Sequence, residues 1–469
     1  MIRILTYDME KRGGRPLYLY LYHCIRDDIE KGRIQPDAKL PSKRTLALHL
    51  QISVMTVQNA YAQLLTEGYL YTKERKGYFV SRIEQTPVRP PEKCEQTARA
   101  CSVDDTDQYF ADFCDNSVQP PLFPFSVWSS QMREALSDGR ETLLRRMPQA
   151  GVYALRKAIA AYLYRFRGMS VQAKQIFIGA GTEYLYMLLV QLFGISSIYA
   201  VEDPGYQKIK QIYKNAGALC RPIPLDKEGI SMQALEDSGA EIVHISPSHH
   251  FPTGIVTPIK RRRELLRWAA SKRGRYIIED DYDSEFRFTG RVLPTMQSID
   301  ACDTVVYINT FSKTISPALR ISYMVLPTTL AQRFDSDFGH LSCTVSSLEQ
   351  FTLAKFIDKG YFERHINRMR KVYRERRDAI LRAIDSGPLR GKVTVREEHA
   401  GLHFTMKMKT SLSDCELVRR AGEKGIKISC LSQYCDIKKS VEPSVCIINY
   451  SGVQTDDAER AMHVLSQIF

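Results

Sequence analysis

The chain has 469 residues, of which 44% are hydrophobic, and its 66 Lys and Arg against 53 Asp and Glu leave a formal net charge of +13. This length suits two or three domains with a sizeable core, and the charge suits a polyanionic partner such as DNA without proving one. There is no run of roughly 18 to 20 apolar residues for a membrane span, no signal-peptide pattern, and no CxxC or metal-like cysteine spacing. We therefore expect a cytoplasmic protein with no membrane span and no metal site.

The first 80 residues predict a small helical module. Apolar residues recur at helical spacing from Pro16 to a stop at Gly32. A second helix follows the N-cap candidate Ser42, and a third starts at Ser53. The segment YLYTKERKGYFV then has the pattern of a short hairpin with a basic tip. Three short helices and a basic hairpin are typical of a DNA-binding winged helix-turn-helix, and a module used only for dimerisation is the alternative.

A linker and a larger domain follow. Residues 81–106 are rich in proline and charged residues and show little apolar periodicity, which predicts a linker. Strand and helix patterns then alternate as far as Leu326, which predicts a mostly parallel sheet covered by helices on both faces. The chain becomes helical from Ser347. We predict a large domain over 107–345 and a smaller α+β domain over 346–469.

One lysine stands out in the segment TVVYINTFSKTISPALRISYMVLP. It is Lys313, which lies in a turn of small and hydroxyl residues after an apolar strand and is followed by Arg320. An earlier apolar strand, Tyr276 to Ile278 in RYIIEDDYDSEF, ends in acids that are followed by Tyr282. A lysine at a strand end can form a Schiff base with an aldehyde, a guanidinium can pair with a phosphate, and a carboxylate can keep a pyridine nitrogen protonated. Pyridoxal phosphate (PLP) needs all three groups.

With these two sets of motifs in this order, the chain resembles the MocR/GabR-type bacterial regulators, in which a GntR-type winged helix precedes a fold-type I aminotransferase-like domain. The resemblance covers nearly the whole length. It implies a multidomain protein: a winged helix-turn-helix joined to an α/β PLP-dependent transferase fold with a smaller α+β C-terminal domain. It makes Lys313 the Schiff-base lysine, Asp280 the partner of the pyridine nitrogen, Tyr282 the ligand of the phenolic oxygen and Arg320 a phosphate ligand.

Further cofactor ligands are expected in turns that follow other strands. The turn in QIFIGAGTEYLYMLLVQLF precedes a helix, and backbone N–H groups at a helix start form an anion site, so we expect it to hold the cofactor phosphate. The resemblance further implies an aromatic residue stacked on the ring and a histidine near its oxygen edge, and two hydroxyl residues flank the Schiff-base lysine. These predicted ligands are Gly181, Thr182, Glu183, Tyr206, His249, Thr310 and Ser312.

The winged helix is expected to bind double-stranded operator DNA. In such modules the third helix enters the major groove, while the second helix and the wing contact the backbone. The residues predicted to face base edges are Met55, Thr56, Gln58 and Asn59. Those predicted to contact phosphates are Ser42, Lys43, Arg44, Lys73, Arg75 and Lys76. The family usually has an arginine where this chain has Val54, so the operator sequence is expected to differ.

Two positions depart from a working aminotransferase. Such enzymes hold the substrate carboxylate with an arginine in the small domain, and this position is Gly452 here. A second arginine that GabR-like members place after the stacking tyrosine is Gln207. Without these guanidinium groups an ordinary amino acid should be held poorly.

Three hypotheses about function therefore stay open. The first is a regulator that binds PLP itself as the signal, and the second is a regulator that uses PLP to sense an amine or amino-acid derivative. The third is a competent aminotransferase with an attached DNA-binding domain. The resemblance also implies a homodimer with a head-to-tail, domain-swapped arrangement.

Overall fold

The computed structural model describes residues 5–83, 109–115, 118–288, 293–399, 401–436 and 441–468. The chain divides into two units, Met1–Ser102 and Val103–Phe469. The predicted linker, from residue 84 onward, lies outside the described residues. No helix in the described ranges is both long and apolar enough to cross a membrane.

The N-terminal unit has the predicted order of three helices and a hairpin. The helices are α1 (Leu17–Glu30), α2 (Lys43–Leu50) and α3 (Val54–Thr66), and the strands are β1 (Leu70–Lys73) and β2 (Gly77–Val80). The predicted N-cap Ser42 is confirmed, because its side chain accepts a hydrogen bond from the Thr45 N–H. Ser53, where the third helix was predicted to start, is the N-cap of α3, since its side chain accepts a hydrogen bond from the Thr56 N–H. The apolar faces of the helices close one core around Ile25, Val57 and Leu64.

A large mixed sheet forms the centre of the C-terminal unit, in the order β4-β11-β10-β9-β8-β5-β6-β7. Its strands are β4 (Ile176–Gly179), β5 (Ile198–Asp203), β6 (Leu219–Asp226), β7 (Gly229–Ile230), β8 (Ile242–Ile245), β9 (Tyr276–Asp280), β10 (Val305–Thr310) and β11 (Ser322–Val325). The pairs β5-β6, β5-β8, β8-β9 and β9-β10 are parallel. Apart from β6, most of whose residues are partly or fully exposed, the strands are buried almost throughout, as expected for a sheet covered on both faces.

Helices precede, connect and follow these strands, and among the described residues their apolar side chains form three buried clusters with those of the sheet. Those in the first part are α4 (Phe125–Asp138), α5 (Arg140–Leu143), α6 (Tyr153–Arg167), α7 (Thr182–Phe193), α8 (Gln207–Asn215), α9 (Met232–Asp237), α10 (Ile259–Ala270), α11 (Met296–Ile299) and α12 (Thr328–Phe338). Those in the last part are α13 (Ser347–Asp358), α14 (Tyr361–Ser386), α15 (Asp414–Glu423) and α16 (Thr455–Leu465). This architecture confirms the predicted fold class.

A smaller sheet of four strands, in the order β12-β13-β16-β15, lies in the last part of the chain. Its strands are β12 (Val393–Arg396), β13 (His403–Met408), β15 (Ser429–Cys430) and β16 (Val445–Asn449). A separate short ladder pairs β3 (Ala111–Asp112) in parallel with β14 (Ile426–Lys427). The segment at residues 109–115, which the sequence had placed with the large domain, therefore joins the C-terminal strands.

Candidate functional site

The carboxyl ends of the large sheet's parallel strands bring the predicted cofactor residues to one edge. Strand β9 ends at Asp280, and its register partner on β10 is Ile308, shortly before the turn that carries Lys313. Strands β4, β5 and β8 end just before the turns that contain Gly181, Tyr206 and His249. Sites in α/β sheets form at such strand ends, because the loops there converge.

Lys313 has an amine that is easily deprotonated. Burial lowers its pKa from 10.5 to about 8, and the nearby carboxylates of Asp283 and Asp115 limit this shift because they favour the charged form. At about pH 7, roughly a tenth of such an amine is neutral, which is a few hundredfold more than for a lysine with an ordinary pKa. Only the neutral amine attacks an aldehyde, so Lys313 is prepared for this reaction.

Asp280 presents one unpaired carboxylate oxygen. The Tyr186 hydroxyl donates a 2.5 Å hydrogen bond to Oδ2, and the His244 Nε2 lies 3.6 Å from the same oxygen. The other oxygen, Oδ1, is buried and has no hydrogen-bond partner among the described residues. A buried acceptor left without a donor costs free energy, so Oδ1 is suited to accept a hydrogen bond from a ligand. This fits the protonated ring nitrogen of PLP.

The start of α7 and Arg320 together form an anion cradle. Gly181 caps the helix with a φ of 93°, and a Cβ at this position would lie 2.5 Å from the Arg320 Nη2. A side chain at this position would push the guanidinium aside, and the positive φ also favours glycine. The first N–H groups of the helix, from Thr182 onward, lack partners within the helix and favour an anion such as a phosphate.

Glu183 orients this cradle through its side chain. Its carboxylate lies 3.0 Å from the Arg320 Nη2 and also pairs with Lys208. A carboxylate repels phosphate, so only the backbone N–H of Glu183 can serve in the predicted contact, while the side chain holds Arg320 in place. Lys208, which the sequence did not single out, adds a second cation here.

The hydroxyl residues beside the lysine have structural contacts. The Thr310 Oγ1 accepts a 2.8 Å hydrogen bond from the Ser322 hydroxyl and a 3.1 Å bond from the Ser312 N–H. These bonds shape the turn that presents Lys313. The direct cofactor contacts expected of Thr310 and Ser312 remain predictions.

The aromatic residues border the same site. Tyr206 is 46% exposed and lies edge-to-face with Phe251, with 5.9 Å between the ring centroids. The Tyr282 hydroxyl donates a 3.0 Å hydrogen bond to the His249 carbonyl. Its single proton is thus used within the protein, and the predicted bond to the cofactor's phenolic oxygen requires that proton to be redirected.

His249 belongs to a buried cluster with Asp283 and His403. Its Nδ1 lies 2.8 Å from the Asp283 Oδ2, and its ring centroid lies 4.3 Å from that of His403. One potential ligand atom from each residue lies within 4.8 Å of the others, and burial keeps the pKa of His403 well below its ordinary value. Two imidazoles and a carboxylate are donors that Zn²⁺ accepts, so this is where the described residues could hold a metal.

Neither of the two positions that depart from a working aminotransferase, Gln207 and Gly452, supplies a cation. The Gln207 Nε2 donates a 2.7 Å hydrogen bond to the Tyr434 carbonyl. The Gly452 carbonyl accepts a 2.6 Å bond from the Gln119 side chain.

The N-terminal unit presents its predicted DNA contacts on helices α2 and α3 and on the wing. Met55 is 61% exposed at the start of α3. Thr56 is only partly exposed, and its hydroxyl lies 2.8 Å from that of Ser53. Part of the hydrogen-bonding capacity of this hydroxyl is therefore used at the N-cap of α3. The Lys43 ammonium donates a 3.2 Å hydrogen bond to the Gln58 side chain, which links a predicted phosphate contact to a predicted base contact.

The remaining predicted DNA contacts are also accessible. Lys73 lies over the rings of Tyr71 and Phe79, with its Nζ 5.4 and 4.9 Å from their centroids. The other exposed positions are Ser42, Arg44, Asn59, Arg75 and Lys76. Ser42 also caps α2, so its hydroxyl has a structural use.

Sequence reasoning missed three residues of the cofactor edge: Tyr186, Lys208 and Asp115. Tyr186 lies one helical turn after Thr182, so the helical period could have placed it on the buried face of α7. Its contact with Asp280 spans 94 positions, and no local pattern indicates it.

Comparison with known proteins agrees with this architecture. Residues 17–80 match the family described as bacterial regulatory proteins, gntR family, and residues 116–464 match aminotransferase class I and II. The chain is 30% identical over 474 residues to the probable rhizopine catabolism regulatory protein MocR of Rhizobium meliloti, covering 98% of this chain and 95% of that protein. This chain belongs to the MocR-type transcriptional regulators.

Other relatives align with this MocR-type regulator over most of its length. It is 38% identical over 419 residues to the uncharacterized HTH-type transcriptional regulator YdeL of Bacillus subtilis (strain 168), with 88% of each chain covered. It is 30% identical over 424 residues, with 87% of each covered, to the HTH-type pyridoxine biosynthesis transcriptional regulator PdxR of Corynebacterium glutamicum.

The fold of the C-terminal unit is that of the aminotransferases. A kynurenine aminotransferase from Pyrococcus horikoshii superimposes with a TM-score of 0.68 at 22% identity, covering 77% of this chain and 91% of the enzyme. A gntR-type module implies DNA binding, and an aminotransferase fold of this class implies dependence on PLP.

Proposed function

We propose that this MocR-type regulator binds PLP through Lys313 and changes its affinity for operator DNA when an amine ligand reaches the cofactor. The observation that carries the proposal is the lowered pKa of Lys313 at the same sheet edge as the unpaired, buried Oδ1 of Asp280. In this proposal Lys313 meets the aldehyde of PLP, and Asp280 meets the ring nitrogen on the opposite side of the ring.

The residues at the edge have distinct tasks in this proposal. Lys313 supplies the neutral amine, and Asp280 holds the ring nitrogen protonated, oriented by the Tyr186 hydroxyl. Arg320 and the N–H groups at the start of α7 bind the phosphate. When bound, PLP supplies an aldehyde that condenses reversibly with primary amines.

The N-terminal unit supplies the output. Its exposed cations contact phosphates, and the start of α3 reads base edges in the major groove. We propose that two copies of the chain form a dimer that binds a two-part operator, because paired modules of this kind read half-sites about one DNA turn or multiples of a turn apart. Sedimentation of the PLP-loaded protein tests this, and a stable monomer at micromolar concentration would contradict it.

Borohydride trapping tests the cofactor site. Reduction of the PLP-loaded protein, followed by peptide mass spectrometry, should place the adduct on Lys313, and Lys313→Ala should lose both the adduct and the visible absorption band. The matched control is Lys355→Ala, which removes a lysine that pairs with Glu134 and Asp138 away from this edge. A mutant at Lys313 that keeps the band would show that the site is elsewhere.

A DNA-binding titration tests the regulatory output. A duplex selected by this protein from a random library is titrated with the cofactor-free protein, with the PLP-loaded protein, and with the loaded protein plus candidate amines. We expect the operator affinity to change at one of these steps. Equal affinities in all three states would contradict the sensing function, and transamination at a useful rate would favour the enzyme hypothesis.

A further inference from the structure

A cavity lies between the end of α6, the start of α14 and the short helical turn that follows β9. Its apolar wall consists of Tyr162, Phe166 and Ile366. Tyr162 and Ile366 are buried, whereas Phe166 is 45% exposed and lies at the mouth. The void, together with the space at the mouth, measures about 410 Å³. A small molecule with an apolar part can therefore enter between these side chains.

The polar residues of the cavity include buried atoms without a hydrogen-bond partner among the described residues. These atoms are Glu285 Oε2, Glu363 Oε2 and Arg167 Nε. Glu285 and Arg167 are each more than nine-tenths buried. A buried polar atom without a partner costs free energy, and here three such atoms belong to residues that line one cavity. The cavity is therefore suited to an occupant with polar groups as well as an apolar part.

The Glu285 carboxylate is fixed by bonds on its other side. Its Oε1 accepts a 3.3 Å hydrogen bond from the Asn309 Nδ2, which also donates a 3.0 Å bond to the Tyr307 hydroxyl. Asn309 and Tyr307 both belong to the fully buried strand β10. Burial and the charge of Asp281 raise the pKa of Glu285 to about 7, so this carboxyl group is mostly charged at about pH 8. Its Oε2 is then a fixed and charged acceptor.

The charged residues around the cavity leave one charge of each sign without an ion pair. Two of the four are paired, Arg167 with Asp281 and Glu363 with Arg165. Glu285 and Arg370 have no ion-pair partner among the described residues. Arg370 donates its Nε–H to the backbone carbonyl of Glu285, which is a neutral acceptor, so its charge is not neutralised there. A ligand that carries both signs of charge matches this arrangement.

We propose that this cavity binds a free α-amino acid with an apolar side chain. The ammonium group donates to Glu285 Oε2 and Glu363 Oε2. The carboxylate accepts from Arg370 and from Arg167 Nε, and the side chain packs against the apolar wall. A cation alone or an anion alone would leave one charge of the cavity unpaired. The site is a second ligand site, because the residues that line it include none of the predicted cofactor ligands.

Titration with matched ligands tests the inference on the full-length protein. PLP is loaded and reduced with borohydride beforehand, so that no amine can exchange with the cofactor. Leucine and phenylalanine are compared with glycine, and leucine is compared with isocaproate, which lacks the ammonium group, and with isopentylamine, which lacks the carboxylate. Affinity at about pH 8 is measured by calorimetry and by the shift of the unfolding temperature. We expect leucine to bind roughly 10- to 100-fold more tightly than either analogue, as for one charge-assisted hydrogen bond.

Two substitutions assign this binding to the cavity. Glu285→Gln and Glu363→Gln keep the size of each side chain and remove its charge, so each should lower the affinity for leucine roughly tenfold or more. The matched control is Glu141→Gln, the same substitution in an exposed pair with Arg145. Thermal unfolding without ligand shows whether each variant folds, and Glu363→Gln decides the test if Glu285→Gln does not fold.

The outcomes distinguish this inference from the proposed function. If neither leucine nor phenylalanine shows saturable binding, water alone occupies the cavity and the inference is overturned. It is also overturned if glycine or either analogue binds as tightly as leucine, or if both glutamine variants keep the affinity. An affinity for leucine that falls in these variants and persists in Glu141→Gln supports it. Failure of PLP to bind at Lys313 would overturn the proposed function and leave this test unaffected.

Discussion

Asp280→Asn should weaken cofactor binding and leave the stability of the cofactor-free protein almost unchanged. In the cofactor-free protein the Asp280 Oδ1 has no partner among the described residues, while Oδ2 accepts from Tyr186. An asparagine oxygen can still accept the hydrogen bond from the Tyr186 hydroxyl. The variant therefore loses a negative charge that makes no hydrogen bond at Oδ1 in the cofactor-free protein. We expect its free energy of unfolding to change by less than about 1 kcal/mol.

The affinity for PLP should fall much more. A charged hydrogen bond between a carboxylate and a protonated ring nitrogen contributes about 1.5 to 3 kcal/mol, which corresponds to a loss of roughly 10- to 100-fold in affinity for Asp280→Asn. Titration of the cofactor-free protein with PLP, followed by absorbance and by fluorescence quenching, measures this loss. Thermal unfolding of the same samples without PLP measures stability.

The neighbouring acid provides the control. Asp281 forms a buried ion pair with Arg167, whose side chain is 3% exposed, and accepts a 2.7 Å hydrogen bond from the Tyr307 hydroxyl. Asp281→Asn leaves that guanidinium buried without its counter-charge, which costs about 3 to 5 kcal/mol. If Asp280→Asn lowers stability as much as Asp281→Asn does, or if it leaves PLP affinity unchanged, the assigned role of Asp280 is wrong.

Three further predictions concern the lysine, the phosphate cradle and the DNA contacts. Below about pH 8 the folded state buries the charged amine of Lys313, and this penalty is relieved as the pH rises from about 8 towards 10.5, so stability should rise in this window. Unfolding of the cofactor-free protein across this range should show the rise, and Lys313→Met should flatten it. Gly181→Ala should weaken PLP binding about tenfold or more, because a Cβ would displace the Arg320 guanidinium. The control is Gly168→Ala, which should cost only backbone strain because Gly168 has a φ of 66° and open space around it. Normal PLP affinity in Gly181→Ala would contradict the cradle. The winged helix offers three exposed cations for neutralisation: Arg44, Lys73 and Arg75. Their combined replacement by glutamine should reduce the salt slope of DNA binding by about 2 to 3, and a truncated protein without residues 1–80 that still binds the operator fully would refute this placement.

Local patterns in the sequence were sufficient for several elements. Ser42 was predicted as an N-cap because a short hydroxyl side chain before an apolar helical repeat satisfies the first free N–H groups, and it caps α2. The third helix was predicted to start at Ser53, which caps it. The strands that end at Asp280 and before Lys313 were predicted for a similar reason. An apolar run indicates a buried strand, and the polar residues after it indicate where the chain leaves the sheet. Both signals come from residues that are adjacent in the sequence.

The tertiary structure alone decided which side chains meet. The sequence identified Asp280 but not the Tyr186 hydroxyl that orients it, and Glu183 but not its two-sided pairing with Arg320 and Lys208. It pointed to Gly452 as a missing cation but not to the Asp115 carboxylate oxygen, which lies 3.4 Å from where a Cβ at that position would stand. These pairs join residues far apart in the chain, so they depend on strand order and loop convergence. A local pattern specifies which residues are buried or capped, whereas the packing of the whole unit determines which charges face one another.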